Sequence, residues 1–300
     1  MLKVGVIGLG DIAQKAYLPV LNKKELEVHL YTRDQDKLKA IATQYRFTHV
    51  HCSLGTLIEA GVYAAFVHTT TASHEDVVTQ LLNNNIHVFV DKPITYHYES
   101  TEILLNSAKA KGLILDVGFN RRYAPAIQNL KALREVNMVV MQKNRKSLPA
   151  PTRTFIFDDF IHVVDTLLYL LPNPMEHLIV NGKKKDGLLY HVVVQFVFGD
   201  GCTAIGIMNR DSGTNEEQLE VFTEAEKRIV RNVTDTSILK DKNRTEIGVS
   251  DWEPTMNKRG FEAMVNDFIN AVKSASTRHY EHQLMTHKVC EEIVNRLDAL

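Results

Sequence analysis

The chain has 300 residues, of which 44% are hydrophobic and 24% are charged, and its formal net charge is −1 at pH 7. A nearly neutral chain without basic runs gives no electrostatic reason to expect nucleic acid or an anionic membrane surface as a partner. No apolar stretch approaches the roughly 20 residues that span a bilayer, and the length predicts about two domains with a core each.

The three cysteines, Cys52, Cys202 and Cys290, lie far apart in the sequence. This spacing predicts reduced thiols in a cytoplasmic protein rather than a disulfide framework. A strand pattern begins at about the third residue, so we expect no signal or transit peptide at the N-terminus.

The first strand pattern runs directly into the motif G-x-G-x-x-A at residues 8–13. We expect Gly8 to allow the tight turn from strand to helix, Gly10 to let a pyrophosphate approach the backbone, and Ala13 to let the helix pack closely on the sheet. The free N–H groups and the dipole of the new helix attract phosphates. Because a strand precedes the motif and a helix follows it, the sequence predicts a dinucleotide-binding site.

Strand and helix patterns alternate up to residue 119. After the first strand, the predicted strands are residues 27–32, 64–68, 86–90 and 114–117, and the predicted helices are residues 11–21, 36–45, 73–83 and 98–111. Pro19 is expected to bend or end the first helix. The alternation predicts an α/β Rossmann domain, a doubly wound parallel sheet, over residues 1–119. Ligands bind where such strands end, at residues 32–33, 69–71, 91–93 and 119–122.

The end of the second strand bears on the choice of cofactor. Thr32 and Arg33 stand where an NAD enzyme usually places an acidic residue for the adenosine ribose, and Asp34 follows one step later. An arginine fork matches the geometry and charge of a ribose 2′-phosphate, so the sequence favours NADP(H). In the alternative, Arg33 is solvated, Asp34 holds the ribose, and the cofactor is NAD(H).

From about residue 175 the hydrophobic pattern changes to a period of two. The predicted strands are residues 177–181, 189–198, 202–208, 218–223 and 227–232, with a hairpin at residues 199–201, and two helices follow at residues 260–273 and 283–297. These elements predict an α+β domain over residues 120–300 with a mostly antiparallel open sheet. We expect one face of this sheet to form a homo-oligomer, a dimer or a tetramer.

Three histidines near the last helix, His279, His282 and His287, raise the question of a metal site. No acidic or cysteine partner completes a ligand set beside them. The sequence therefore predicts surface histidines and no metal.

Four polar residues, Asp158, His162, Asp165 and Tyr169, recur at helical spacing of four, three and four. They share one face of a helix that is otherwise apolar, and a polar stripe on a buried helix must be hydrogen-bonded or face a cavity. Two alternatives remain open: Asp158 or Asp159 caps the helix, and His162 is a satisfied core histidine.

Lys92 follows a buried strand at its carboxyl end, where we expect the nicotinamide to lie. Partial desolvation there is expected to lower the pKa of the amine, so that it exchanges a proton near neutrality. Pro93 fixes the backbone beside it, and a cis Lys92–Pro93 bond would orient the lysine.

At this point the chain resembles the glucose–fructose oxidoreductase, inositol dehydrogenase and MocA (Gfo/Idh/MocA) superfamily over essentially its whole length. The markers are residues 8–13, Thr69 followed by His74, Asp91-Lys92-Pro93, residues 118–123, and Asp158-x-x-x-His162 with Asp165 after it. The stretch 158–165 is most similar to the MviM-type branch. Two features depart from the family pattern: Asp91 replaces the usual glutamate, and the segment between Tyr123 and Asp158 is short.

The resemblance implies a role for each matching residue. Lys92 would contact the nicotinamide ribose and the substrate hydroxyl, His162 would act as acid–base, and Asp158 would orient the substrate or the histidine. The cofactor residues would be Gly8, Gly10, Asp11, Ile12, Ala13, Thr32, Arg33, Thr69, Thr71, His74, Asp91 and Asn120. The substrate residues would be Arg122, Tyr123 and Asp165, although Arg122 and Tyr123 could instead lie at the domain interface.

The leading hypothesis is an NADP(H)-dependent oxidoreductase, with NAD(H) as the alternative cofactor, that acts on a secondary hydroxyl or carbonyl of a sugar, cyclitol or sugar-like acid. We expect the Lys92 amine and the His162 imidazole to serve the same nicotinamide ring. A non-catalytic NAD(P)-binding sensor with the same fold is the alternative. A methyl-donor or flavin enzyme fits less well, because it leaves the lysine and the second domain without a purpose.

Overall fold

The computed structural model describes residues 1–248 and 250–299. In these residues the strands are β1 (Leu2–Ile7), β2 (Leu26–Tyr31), β3 (His49–His51), β4 (Ala64–Val67), β5 (His87–Val90), β6 (Leu115–Val117), β7 (Met138–Lys146), β8 (Met175–Lys185), β9 (Leu188–Phe198), β10 (Thr203–Ser212), β11 (Glu216–Phe222), β12 (Lys227–Arg231), β13 (Asp235–Lys240) and β14 (Asn243–Ile247).

The α-helices of the same residues are α1 (Leu18–Leu21), α2 (Gln35–Tyr45), α3 (Leu54–Glu59), α4 (His74–Asn83), α5 (Tyr98–Ala110), α6 (Pro125–Lys131), α7 (Thr152–Phe155), α8 (Ile161–Leu170), α9 (Thr255–Lys258), α10 (Phe261–Lys273) and α11 (Glu281–Asp298). Wider π turns lie at Ala13–Tyr17 and Ile156–Phe160, and tighter 3₁₀ turns lie at Thr71–Ser73 and Asn120–Tyr123. No helix in the described parts of the chain is long and apolar enough to cross a membrane.

Contacts between Cα atoms divide the chain into two compact units. The first unit contains residues 1–118 and 261–284, and the second contains residues 119–260 and the chain from Met285 onward. The predicted second domain, residues 120–300, included residues 261–284, which here pack within the first unit. Their side chains explain why: the Phe268 ring lies 5.2 Å from Phe66, and Arg278 pairs with Asp116 at 3.1 Å.

The first unit contains a parallel sheet of six strands in the order β3-β2-β1-β4-β5-β6, counted over the described residues. Strands β4 and β5 are buried along their whole length, since helices cover parallel sheets on both faces. This confirms the predicted doubly wound Rossmann fold. The order reverses between β1 and β4, the point where such sheets bind ligands.

The predicted first helix continues past Pro19 instead of ending there. It opens at residue 11, widens into the π turn at Ala13–Tyr17, and goes on as α1, in whose first turn Pro19 lies. Because the helical segment is continuous, Pro19 removes one backbone N–H donor from it, and the π turn directly before α1 is where the regular hydrogen-bond pattern is interrupted.

Strand β3 and helix α3 of this unit were not predicted from the sequence. The three residues of β3, His-Val-His, are too few and too exposed to show a hydrophobic alternation. Helix α3 is six residues long and begins with a capping box between Ser53 and Thr56.

The second unit contains a sheet of eight strands in the order β14-β13-β12-β11-β7-β10-β9-β8 within the described residues. All neighbouring pairs are antiparallel except β7 and β10, so the predicted mostly antiparallel sheet is confirmed. The predicted turn at residues 199–201 joins β9 and β10 as a hairpin. Strands β7, β13 and β14 were not predicted, because their polar residues hide the period of two.

Helix α8 lies on one face of this sheet. A Cβ added to Gly206 of β10 would lie 3.0 Å from the Val163 side chain and 3.2 Å from that of Leu167. The apolar side of α8 therefore packs against β10. This contact places the polar residues of the same helical segment near β7 and β10.

Candidate functional site

The glycine turn after β1 has the sterics that the motif predicted. Gly8 has a φ of +86°, and a Cβ there would lie 2.7 Å from the carbonyl group of His68, so a side chain has no room. A Cβ added to Gly10 would meet nothing within 4 Å, which leaves open space above the backbone. Ala13 is fully buried where the helix leaves the turn.

A pocket of about 400 Å³ opens at the carboxyl ends of β1, β2 and β4. Of the predicted cofactor residues it is lined by Gly8, Gly10, Thr32, Arg33 and Thr69. It is also lined by Thr70, from the predicted strand end 69–71, and by residues that were not predicted, among them Tyr31, Lys37, Leu54, His68, Ser73 and Asp76. The pocket thus lies beside the glycine turn, at the reversal of strand order.

Three residues that follow β2 have different roles: two line the pocket and one caps the next helix. The Asp34 carboxylate accepts the backbone N–H of Lys37 at 3.0 Å and so caps the N-terminus of α2. Arg33 and Lys37 line the pocket. The pocket is therefore lined by two cationic side chains that follow β2, while the Asp34 carboxylate caps the helix.

Two residues on the pocket wall carry buried polar atoms without a hydrogen-bond partner among the described residues. These atoms are both ring nitrogens of His68 and the hydroxyl of Thr69. Burial, and then the charge of His74, lower the pKa of His68 to about 3, so the imidazole is neutral at physiological pH. Orphaned polar groups cost free energy unless a ligand or water meets them, so the wall fits a polar ligand such as a dinucleotide.

The other predicted cofactor residues of this unit, Asp11, Ile12, Ala13, Thr71, His74 and Asp91, are not among the residues that line the pocket. Asp11 is exposed and pairs with Lys15 at 2.8 Å, and Ile12 stands beside it at the start of the helix. Thr71 opens the 3₁₀ turn before α4. His74 is buried, and its ring nitrogens lie 2.9 Å from the Pro93 carbonyl oxygen and 3.1 Å from that of Thr69, so it ties together the loops after β4 and β5.

The loop after β5 carries Asp91 and Lys92. The Lys92–Pro93 bond is cis, the isomer that the sequence raised as a way to orient the lysine, and the Asp91 carboxylate accepts the backbone N–H of Lys92 at 2.9 Å. Burial raises the pKa of Asp91 against the opposing effect of the Lys92 charge. Lys92 itself is half-buried at the carboxyl end of β5, where the sequence placed it.

In the second unit, one continuous helical segment from Thr152 to Leu170 carries the predicted polar stripe. Asp158 lies in its π turn, and His162, Asp165 and Tyr169 lie in α8. Asp158 and His162 are half-buried, whereas Asp165 is 1% exposed. The capping alternative for Asp158 or Asp159 is wrong, because the segment begins several residues earlier and neither carboxylate caps it.

Asp159 instead anchors a cationic cluster that sequence reasoning missed. Its carboxylate forms an ion pair with Lys143 of β7 and lies 3.0 Å from Arg145 and 3.6 Å from Arg210. Burial alone would raise the pKa of Asp159, but the Lys143 and Arg145 charges hold it well below its usual range. Burial, and then the charge of Arg121, lower the pKa of Lys143 to about 7. The pairing of β7 with β10 places these cations on the face toward α8, and the sequence alone did not show that register.

Next to this cluster, Arg121 and Glu217 form a buried bidentate pair with N–O distances of 2.6 and 2.7 Å. Burial would raise the pKa of Glu217, but the Arg121 charge lowers it to about 2. The Nε and Nη1 atoms of Arg210 are buried without a partner among the described residues. Cations therefore outnumber carboxylates on this face of the sheet.

Two predicted substrate residues are paired with each other. The Arg122 guanidinium holds the Asp165 carboxylate at 2.7 to 3.1 Å, and its carbon lies 5.1 Å from the centre of the Tyr169 ring. Tyr123 ends the same 3₁₀ turn. Asn120, predicted as a cofactor residue, is buried in the second unit and donates to the Arg259 carbonyl at 2.9 Å.

Comparison with known proteins agrees with this architecture. Residues 2–119 match the model of the Gfo/Idh/MocA oxidoreductase family with its NAD-binding Rossmann fold, and residues 125–241 match that of the YceM-like C-terminal domain. YceM of Salmonella typhimurium, named as a candidate oxidoreductase, is 32% identical over 97% of this chain and 97% of its own. The chain belongs to the Gfo/Idh/MocA oxidoreductase family. The resemblance seen in the sequence is thereby confirmed.

Solved structures extend the similarity to the whole fold. A Gfo/Idh/MocA family oxidoreductase from Vibrio cholerae has a TM-score of 0.93 at 30% identity, covering 100% of this chain and 99% of that one. The dehydrogenase MviM from Clostridium difficile has a TM-score of 0.94 at 30% identity, covering 98% and 99%. This Gfo/Idh/MocA member is an oxidoreductase with an NAD(P)-binding Rossmann domain, and it is similar to the MviM branch.

Proposed function

We propose that this enzyme catalyses hydride transfer between NADP(H) and a secondary hydroxyl or carbonyl of a sugar, cyclitol or sugar-like acid. The observation that carries the proposal is the pocket at the reversal of strand order, with its open glycine turn and its orphaned polar atoms. The cofactor, when bound, supplies the hydride chemistry, and the protein supplies position and a proton.

The preference for NADP(H) is supported by the end of β2. Arg33 and Lys37 line the pocket there, and the Asp34 carboxylate is used to cap α2. A ribose 2′-phosphate would meet two cations, whereas free ribose hydroxyls would lack the carboxylate that NAD enzymes use.

Three residues carry the proton chemistry in this proposal. His162 takes the hydroxyl proton on a ring nitrogen during oxidation and returns it during reduction. Asp158, four residues earlier on the same helical segment, accepts a hydrogen bond that orients the substrate or this imidazole. Lys92 donates from Nζ to the substrate oxygen and to the nicotinamide ribose. Arg122, Tyr123 and Asp165 would shape the substrate site, the first and last of them as an ion pair.

Relatives named for polyol oxidation support the substrate class. Myo-inositol 2-dehydrogenase of Thermotoga maritima is 23% identical over 79% of this chain and 78% of its own. The scyllo-inositol 2-dehydrogenase (NAD(+)) of Bacillus subtilis is 30% identical over 38% of this chain. The second name carries NAD, so the cofactor preference proposed here depends on Arg33 and Lys37 alone.

The test begins with fluorescence titration of the pure protein with NADPH and NADH, followed by a screen of sugars, cyclitols and sugar acids at the reduced-nicotinamide absorbance band. With a substrate in hand, Lys92→Ala should lower turnover by a factor of about 10² or more without changing the unfolding temperature. Lys109→Ala, an exposed lysine on α5, is the matched control.

Wild-type turnover in Lys92→Ala would contradict the role of the lysine. Micromolar cofactor binding without turnover of any substrate, together with a captured protein partner, would contradict the enzyme proposal and favour the sensor.

We further propose that the protein is a cytoplasmic homo-oligomer assembled through the open face of the second sheet. Ile179 of β8 and Val193 of β9 are 56% and 38% exposed on that face, and Ile205 and Ile207 of β10 lie beside them. A partly exposed sheet face that carries these apolar side chains fits a second copy of the chain. Light scattering after gel filtration should give a dimer or tetramer, and Ile179→Lys should shift it toward the monomer.

A further inference from the structure

Four polar side chains meet on one face of the first sheet, at its β3 edge. They are Glu27 and His29 of β2 and His49 and His51 of β3, here called the histidine cluster. Residues two apart share a face of a strand, and His29 stands opposite His49 in the parallel register. None of these four residues lines the cofactor pocket described above.

The ligand atoms of the histidine cluster lie within reach of one ion. The Glu27 carboxylate lies 3.0 Å from Nε2 of His29 and 4.0 Å from Nε2 of His49. One ligand atom from each of these three residues lies within 4.8 Å of the other two. Tetrahedral zinc takes nitrogen and oxygen ligands at about 2.0 to 2.2 Å, so these atoms need only small rotations to converge.

The fourth residue, His51, provides a hydrogen-bond acceptor for the second ring nitrogen of His29. His29 is 3% exposed, and its Nδ1 atom lies 2.9 Å from Nε2 of His51. A metal-bound histidine donates its second ring N–H to an acceptor that fixes the tautomer and the ring orientation. His51 is placed to accept that proton.

The histidine cluster is accessible to a cation, and one neighbouring lysine competes with it. The His49 side chain is 47% exposed, so an ion can enter from solvent, whereas His29 holds the site from inside the sheet. Lys3 lies 3.6 Å from the Glu27 carboxylate and donates to the Ala60 carbonyl. Its ammonium competes with an ion for the carboxylate.

We propose that Glu27, His29 and His49 bind a divalent transition metal ion, with Zn²⁺ as the best match to two imidazoles and one carboxylate. His51 is the positioning residue that holds the His29 ring. The sequence predicted surface histidines and no metal at His279, His282 and His287. The surface placement is wrong for His287, which is buried with its ring 6.2 Å from those of Phe119 and Phe157. The histidine cluster is a different set, brought together only by the pairing of β2 with β3. The proposal is independent of the proposed reaction.

The experiment is a calorimetric titration of untagged, chelator-treated protein with ZnCl₂, with metal content measured after dialysis. We expect one Zn²⁺ per chain with a micromolar or tighter Kd, and a higher unfolding temperature with zinc. His49→Asn should abolish measurable binding, and His51→Asn should weaken it by about 10- to 100-fold. Lys3→Met should strengthen binding, because it removes the competing charge.

His279→Asn, an exposed histidine outside the cluster, is the matched control and should bind zinc as the wild type does. Since His49 is exposed, its variant should fold, and the unfolding temperature without zinc checks this. Nitrogen-15 NMR should also show the His29 proton move to Nδ1 when zinc binds. The absence of binding at a zinc concentration on the order of 100 micromolar would overturn the proposal. So would equal affinity in His49→Asn and His279→Asn, or loss of binding in Cys52→Ser, which would point to a thiolate site.

Discussion

The Arg122 guanidinium holds the buried Asp165 carboxylate through two nitrogens, Nε at 2.9 and 3.1 Å and Nη2 at 2.7 Å from its oxygens. Thr286 adds a hydrogen bond to the same carboxylate at 3.2 Å. A charge this deeply buried depends on its partner, because removing one member leaves the other uncompensated.

Asp165→Asn should therefore destabilise the protein. We expect the free energy of unfolding to fall by about 3 kcal/mol, since a broken buried pair costs roughly that much. Urea unfolding measures the change, and Asp186→Asn, on an exposed turn, is the control and should be neutral. A stable Asp165→Asn enzyme with a raised KM would show that the carboxylate serves the substrate instead.

A side chain should have different effects at the two glycines of the turn: at Gly8 it should reduce stability, and at Gly10 it should reduce cofactor affinity. Gly8→Ala forces a left-handed φ and a contact at 2.7 Å with backbone, so the unfolding free energy should fall by more than about 2 kcal/mol. Gly10→Val meets open space, so its stability should stay near that of the wild type while the Kd for the cofactor rises at least about tenfold. Thermal unfolding and NADPH titration separate the effects. A Gly10→Val protein with unchanged cofactor affinity would place the dinucleotide elsewhere.

Arg33→Gln should change cofactor selectivity. Loss of a charged hydrogen bond to a 2′-phosphate costs about 1.5 to 3 kcal/mol, so the Kd for NADPH should rise by about 10- to 100-fold. The Kd for NADH should change little, because free ribose hydroxyls make no use of the charge. Lys39→Gln, exposed on α2, is the control. A wild-type protein that binds NADH as tightly as NADPH would refute the preference.

His68 should make the protein sensitive to acid. Its folded pKa of about 3 lies below the ordinary value of 6.5, so between these pH values the unfolded chain binds a proton that the folded chain does not. The stability due to the neutral ring is complete above pH 6.5 and is lost as the pH falls toward 3, with a slope of up to about 1.4 kcal/mol per pH unit. Urea unfolding at pH 7, 6 and 5 gives the free energy of unfolding at each pH. This free energy should fall less steeply with decreasing pH in His68→Asn than in the wild type. The exposed His97→Asn variant should keep the wild-type slope, and identical slopes in all three proteins would contradict the prediction.

Much of the first unit could be predicted because its signals are local. The turn at Gly8 needs a residue without a side chain, and the strands that follow are short apolar runs between helical patterns. In the second unit, the hairpin at residues 199–201 was predicted for the same reason, since neighbouring residues decide the turn. The short exposed β3 and the polar strand β7 were missed, because neither shows a periodic apolar pattern.

The candidate site shows the same limit of prediction from sequence. The sequence identified Asp158, His162 and Asp165 as one helical stripe, but it did not predict that Asp165 is held by Arg122. It also did not show that Asp159, one residue along, is surrounded by cations of β7 and β10. Strand register sets the partners of Asp159, and the packing of the 3₁₀ turn against α8 sets the partner of Asp165; the sequence alone shows neither.

The sequence by itself determined the family, the dinucleotide turn and the two kinds of sheet, since short motifs and hydrophobic periods encode them. Only the tertiary structure decided which charges neutralise each other, that residues 261–284 pack with the first unit, and that histidines of two strands share one face. These outcomes depend on contacts between residues distant in the chain, whose energies arise only once the strands have paired and the side chains are buried together.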